Sequence, residues 1–233
     1  MEKIKLRWET IALAIILIVA LGLRLYRIDG YLTFLGDEGR DVRIVRDLLA
    51  SNLVFIGPMT SIGNMYLGPL YYYLIAPALF LSSGSPVGPA VMIALLMTAT
   101  VGLTWSLARS WFGKFPALVA ALLFALSPVA IIYSRSSWNP NPMPFFALIS
   151  IWAIYEVWQK KKFAYLSLAA FSLAAALQMH YLGLLLIPVL GIYWFFTLRT
   201  TGSDPVGRIN FIRHTLLAIG VFALMMSPLL FFD

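Results

Sequence analysis

Long apolar runs recur from one end of the chain to the other, with most of the Lys and Arg residues in small clusters between them. They fall at residues 9–24, 87–108, 115–133, 143–158, 163–179, 181–198 and 211–231. A helix needs about 20 apolar residues to cross a bilayer, so each run is of the right order. Lipid offers the backbone no hydrogen-bond partner, which leaves only helices or a closed barrel as spanning structures. Runs this long, without strict alternation, predict helices. The chain is 61% hydrophobic and 12% charged, about half the charged fraction of an ordinary soluble domain. The expectation is an all-α polytopic membrane protein with about seven spans, forming one module over residues 1–233.

The basic residues set the topology. One further apolar stretch, 68–83, is short for a span, and counting it or not reverses every later segment. If it lies in the membrane interface, 11 of the 17 Lys and Arg residues fall on the side of Lys3, Lys5 and Arg7; if it spans, only 4 do. Positive charge gathers in cytoplasmic loops, so 68–83 reads as an interfacial helix and the N-terminus as cytoplasmic, in the plasma membrane. The net charge of +7 is therefore a matter of topology and does not point to nucleic acid. Residues 1–24 lack a small-residue cleavage site and read as a retained span. Arg24 and Arg27, at its far end, read as side chains reaching the headgroups. The absence of cysteine removes disulfides and thiolate metal sites. The last residues, Phe231-Phe232-Asp233, sit at the exit of a span, as in the N-terminal part of a longer protein.

With this topology, three polar loops share the external face. The first holds Gly36-Asp37-Glu38-Gly39-Arg40-Asp41, a knot of charge just after the first span. Residues 37–50 follow helical spacing, with Val42, Val45 and Leu49 on one face and Asp37, Arg40 and Asp41 together on another. On residues alone, Asp37 as an ordinary N-cap explains much of this. Gly57-Pro58, Gly63 and Asn64 mark a loop ahead of Gly68. The second external loop is Ser134-Arg135-Ser136-Ser137-Trp138-Asn139-Pro140-Asn141-Pro142, in which Asn139 and Asn141 suit a tight turn. Arg135 there has the fork geometry for a phosphate, with snorkelling as the alternative. The third is the turn at His180, where an imidazole serves as a hydrogen-bonding group or a phosphate contact. Tyr71 and Tyr72 fit either a sugar platform or an aromatic belt. Glu156 and Lys160 are spaced for an ordinary helical ion pair.

An acidic pair after the first span, an interfacial helix, and then Gly68-Pro69-Leu70-Tyr71-Tyr72-Tyr73-Leu74 resemble membrane glycosyltransferases of the GT-C class. The resemblance is to the glycosyltransferase 39 family, which includes protein O-mannosyltransferases and lipid A aminoarabinose transferases. Leu107-Ala108-Arg109-Ser110-Trp111-Phe112-Gly113-Lys114 is similar to the family's short cytoplasmic turn, and Ala125-Leu126-Ser127-Pro128 to the segment before its second external loop. The family's usual His-Pro-Pro-Leu-Tyr-Tyr begins here with Gly68. The resemblance implies a polyprenyl-phosphate sugar donor, an acceptor that is a protein, lipid or glycan, and an inverting displacement. It implies Asp37 as catalytic base or metal-associated acid with Glu38 beside it, and Arg40, Arg135, His180, Asn139, Tyr71 and Tyr72 as donor contacts. Some members place an Asp in the second loop as a metal ligand; Trp138-Asn139-Pro140-Asn141 has none, which puts a divalent metal in doubt. The rival reading is a non-enzymatic transporter or flippase of a lipid-linked intermediate. Transporters place ionisable groups inside spans, whereas here they crowd one surface.

Overall fold

The computed structural model describes residues 2–62, 64–201 and 204–232. Gly63 in the predicted loop, Gly202 and Ser203 in the predicted linker, and the terminal Met1 and Asp233 lie outside them. The regular elements among the described residues are all helices: α1 (Glu2–Leu25), α2 (Ile28–Tyr31), α3 (Gly36–Leu49), α4 (Leu70–Leu81), α5 (Val87–Phe112) and α6 (Lys114–Leu126). There follow α7 (Pro128–Tyr133), α8 (Met143–Lys160), α9 (Tyr165–Met179), a 3₁₀ turn (Tyr181–Leu185), α10 (Leu186–Thr201) and α11 (Pro205–Phe232). Four stretches are long and apolar enough to cross a bilayer: Trp8–Leu25, Val87–Phe112, Tyr181–Thr201 and Pro205–Phe231. The expected spans at α6 and α9 are shorter, at 13 and 15 residues. The protein is an integral multi-pass membrane protein.

The chain divides into two compact units, one of residues 1–53 and 72–145, the other of 54–71 and 146–233. In the first, α1 packs on α5 and α6. Ala20, Ala121 and Ala125 are fully buried with Val101 at this contact, because small side chains let apolar helices approach where lipid supplies no hydrophobic drive. Three hydroxyls in α5, from Thr98, Thr100 and Thr104, donate to carbonyls four residues back at 2.8–2.9 Å, so none is left unsatisfied in an apolar setting. Gly113 turns α5 into α6 with a φ of +89°, a backbone conformation suited to glycine.

Two expectations are corrected here. The predicted span 115–133 is two helices, because Pro128 has no N–H for the Phe124 carbonyl. Ser127 caps the second, its hydroxyl accepting from the Ala130 N–H at 3.3 Å. Arg24 does not reach for headgroups: it is fully buried. Its NH2 donates to the Phe124 carbonyl at 3.3 Å and its NH1 to the Ala125 and Ala20 carbonyls at 3.1 and 3.0 Å. Its Nε donates to Ser134 Oγ at 3.1 Å. The guanidinium thus fills the hydrogen-bonding gap that the proline opens, and it fastens the start of the second loop to α1.

In the second unit α9 packs on α11, and Ala169, Ala174, Ala175 and Ala176 of α9 are buried. Its polar centre is Gln178, which is 2% exposed. The amide accepts from the Leu70 N–H at 3.1 Å and donates to the Met225 carbonyl at 2.8 Å. A Cβ on Gly68 would collide with the Gln178 side chain. The glycine that opens Gly68-Pro69-Leu70-Tyr71 is thereby explained: the buried amide occupies the room a side chain would need. Residues 57–60 and 65–67 run side by side, with Gly57 N–H bonded to the Leu67 carbonyl at 2.7 Å and Leu67 N–H to the Pro58 carbonyl at 2.9 Å.

Candidate active site

Helix α3 begins at Gly36, one residue ahead of the acidic pair, with Leu35 in extended conformation as N-cap. Asp37 is therefore not the cap. Glu38 does that work from inside the first turn, its Oε2 accepting from the Leu35 N–H at 3.1 Å, the return half of a capping box. The predicted periodicity holds: Val42 and Val45 are buried, although Leu49 at the helix end is exposed. Once Glu38 has taken the capping role, the Asp37 carboxylate is left projecting from the first turn.

The second loop then closes on this turn. Ser136 donates its hydroxyl to Glu38 Oε1, so both Glu38 oxygens are engaged and its side chain is buried. Trp138 Nε1 donates to Asp37 Oδ2 at 3.2 Å. The loop holds its shape through the Asn141 side chain, which donates to the Ser136 carbonyl at 2.9 Å, and a turn from Trp138 to Asn141. Asn139 and Asn141 are both buried, as a rigid turn requires. Between α3 and this loop lies a cavity of about 540 Å³, lined by Leu35, Asp37, Glu38, Tyr133, Ser136 and Trp138 among others. Small-molecule sites run from about 300 to 1,000 Å³. The Asp37 side chain is 52% exposed and Glu38 only 4%, so Asp37 is the acid open to a ligand and Glu38 the one that aligns the walls.

Arg40 stands against the same turn. Its NH1 bonds Asp37 Oδ1 at 2.9 Å, and its Nε and NH2 both bond Asp41 Oδ1, at 2.9 and 2.8 Å. Asp41 is 1% exposed, and burial pushes its carboxyl up to about 6 against the pull of Arg40. Tyr72, at the start of α4 and 1% exposed, lies against this pair.

Of the residues singled out in the sequence, Asp37, Glu38, Arg40 and Tyr72 come together in this way. Arg135 turns elsewhere: its NH2 donates to the Leu23 carbonyl, and its guanidinium lies 5.0 Å from the Tyr31 ring centre. Tyr71 is fully buried in the second unit. His180, in that unit too, caps the 3₁₀ turn, Nδ1 accepting from the Leu182 N–H at 3.3 Å. Its ring lies 4.2 Å from that of Tyr181, and burial lowers its pKa, favouring neutral imidazole. Sequence reasoning gave no role to Ser136, Trp138 or Asp41. The spacing of Asp41 from Asp37 placed them on one face, but burial was not visible in it. Among the described residues, no three His, Cys, Asp or Glu side chains are placed to hold a metal ion. The oxygens of Asp37 and Glu38 accept from Arg40, Trp138, Ser136 and the Leu35 N–H.

Residues 67–232 match the family described as dolichyl-phosphate-mannose-protein mannosyltransferase. No curated protein shows significant sequence similarity to the chain. Among solved structures, the chain is similar to the archaeal oligosaccharyltransferase AglB from Archaeoglobus fulgidus, in complex with an inhibitory peptide and a dolichol-phosphate. The TM-score is 0.71 at 19% identity, over 96% of this chain and 29% of that one. That likeness establishes a GT-C fold. The acidic turn of α3 lies ahead of the family match and inside the matched fold.

Proposed function

The chain belongs to the dolichyl-phosphate-mannose-protein mannosyltransferase family, and from that premise we propose that it is the catalytic-base-bearing part of a membrane glycosyltransferase. The donor is a sugar on polyprenyl phosphate, and the acceptor hydroxyl or amide is carried by a protein, lipid or glycan. The similar oligosaccharyltransferase binds dolichol-phosphate and a peptide, which supports a lipid-phosphate donor and favours a protein acceptor. Because 11 of the 17 basic residues fall on the side of the N-terminus when α4 is interfacial, the reading puts the N-terminus in the cytoplasm and the site on the external face.

The observation that carries the proposal is the Asp37 carboxylate, half exposed to a cavity and held at Oδ1 by Arg40 and at Oδ2 by Trp138. In an inverting displacement the acceptor attacks the anomeric carbon from the face opposite the phosphate. The acceptor proton passes to Asp37, and the sugar–oxygen bond breaks with its electron pair leaving on the lipid phosphate. Two hydrogen bonds fix the carboxylate's orientation and leave each oxygen a further lone pair for that proton. Glu38 joins the α3 turn to the Ser136 loop, so the two cavity walls keep one spacing. The remaining donor contacts in the reading, on this same unit, are Tyr72 and Asn139.

The test is transfer of labelled sugar from polyprenyl phosphate by the whole protein and by Asp37→Asn. Loss of a general base costs about 10²–10⁴-fold. Transfer by the variant at the wild-type rate removes Asp37 from the base role.

A further inference from the structure

We propose that Asp41 is a positioning residue for Asp37, acting through Arg40, which the two carboxylates hold between them as a clamp. The inference rests on Asp37 as the base and adds the device that aims it.

Asp41 lies one helical turn beyond Asp37 on α3, and the two carboxylates bracket one guanidinium. An exposed Arg–Asp pair spaced as Arg40 and Asp37 are is worth a few tenths of a kcal/mol, too little to keep two mobile side chains in one geometry. The Asp41 contact changes this. Its carboxylate is buried, so it cannot wander, and both Nε and NH2 of Arg40 converge on its Oδ1. Two bonds to one fixed atom set the plane and direction of the guanidinium, and the remaining NH1 then falls on Asp37 Oδ1. Tyr72 lies against Arg40 and Asp41 and limits the side on which Arg40 can move.

A second feature argues against a purely structural role. Burying a third carboxylate within one helical turn of Asp37 and Glu38 raises the cost of the charged state, and Asp41 Oδ2 has no hydrogen bond in return. A helix anchored here for stability alone is better served by an apolar residue. What Asp41 supplies that an apolar residue cannot is the orientation of Arg40. The clamp also occupies Arg40, so its charge serves the base rather than a donor phosphate.

The experiment measures kcat and KM for transfer from polyprenyl-phosphate sugar by the whole protein in vesicles. The variants are Asp41→Asn, Arg40→Gln, Arg40→Lys and the Asp41→Asn/Arg40→Gln pair, with Asp37→Asn alongside. Misplacing a reacting group costs about tenfold to 10²-fold, and that loss in kcat is expected for Asp41→Asn, with KM unchanged within about twofold. The double variant should be no worse than Arg40→Gln alone, because Asp41 acts only through Arg40. Arg40→Lys keeps the charge but cannot span both carboxylates, so it should lose as much as Arg40→Gln. Being partly exposed, that site decides the matter even if Asp41→Asn does not fold. The charged groups facing Asp37 are Arg40, Asp41 and Glu38 on α3, with neutral Trp138 from the loop. Removing the one cation in Arg40→Gln should move the acid limb of the rate profile to higher pH. Wild-type kcat in Arg40→Lys, or losses that multiply in the double variant, overturn the clamp. Transfer that survives Asp37→Asn sinks the base reading itself, a separate result.

Discussion

Two clusters of carboxylates in the first unit are built on opposite plans. Near the start of α1, the buried Glu9 receives Nε and NH2 of Arg109 and sits 3.7 Å from the Lys114 ammonium. One acid meets two cations. The second unit repeats the plan, with buried Glu156 at 2.6 Å from Lys160 and 3.2 Å from Lys162. At the start of α3 the ratio reverses: Asp37, Glu38 and Asp41 have the single guanidinium of Arg40 among their partners. A matched cluster satisfies its acid and ends there. An acid excess lowers stability and leaves a half-exposed carboxylate with spare lone pairs facing a cavity, the kind of departure that marks functional sites. The first plan fastens helices, and the second leaves open the carboxylate to which the proposed function gives the role of base.

The largest effect is expected at a cation that follows neither plan. Arg24 is buried with four neutral oxygens as its hydrogen-bond partners. Arg24→Met keeps the volume and strands those acceptors, at about 1–3 kcal/mol for each one that finds no substitute. The expected loss is about 3 kcal/mol or more, read as thermal stability in detergent, with early proteolysis between α6 and α7. A variant as stable as wild type means that the carbonyls freed by Pro128 are satisfied without Arg24.

Next is the contrast itself. Glu38→Ala should lower transfer by about 10²-fold, since the Leu35 N–H and the Ser136 hydroxyl both lose their partner and the walls shift. Glu9→Gln should change transfer by less than about twofold while lowering thermal stability. Equal effects on transfer from the two substitutions break the distinction between fastening and chemistry.

The pH dependence of stability gives a third, smaller effect. Asp41 titrates near 3.8 when unfolded and is pushed up to about 6 in the fold. Below about pH 3 it is protonated in both states and costs nothing. Between about 3 and 6 the unfolded chain gives up its proton first, so the folded state loses relative stability as pH rises, by at most about 3 kcal/mol. Asp41→Asn should remove that slope, as seen in urea titrations across this range. A slope that persists belongs to another group.

Much of this arrangement was legible beforehand, and the illegible part has a common cause. Periodicity gave α3 and its buried Val42 and Val45, and the break of charge around 37–41 gave the cluster of Asp37, Glu38 and Arg40. The i,i+4 spacing gave the Glu156–Lys160 pair but not Lys162, which comes round a turn. Arg24 at the end of an apolar run looks the same in sequence whether it reaches lipid headgroups or caps carbonyls, because the deciding partners lie about 100 residues away at Phe124 and Ala125. Pro128 was the available clue, since a proline in a span orphans a carbonyl that something must satisfy. Ser136 and Trp138 carry no signal of their own; only the fold brings their loop onto α3. The Gly68 departure from the family motif was visible, yet its reason lies in Gln178.

That glycine supports the smallest of the expected effects, and the one that extends the comparison to a cluster with no charge at all. Gln178 joins Leu70 to Met225 through one neutral amide, so the second unit is tied at this point by hydrogen bonds alone. In Gly68→Ala the new methyl takes the space of the Gln178 side chain, which is flexible and can swing away at the loss of one or both bonds. A buried amide that loses a partner costs about 1–2 kcal/mol, and no ion pair is touched, so the loss should be insensitive to salt and to pH between about 5 and 8. The paired variant Gly68→Ala/Gln178→Ala makes room for the methyl and should be no less stable than Gln178→Ala alone. If the added methyl costs as much without the glutamine as with it, the glycine answers to its own backbone and not to the amide.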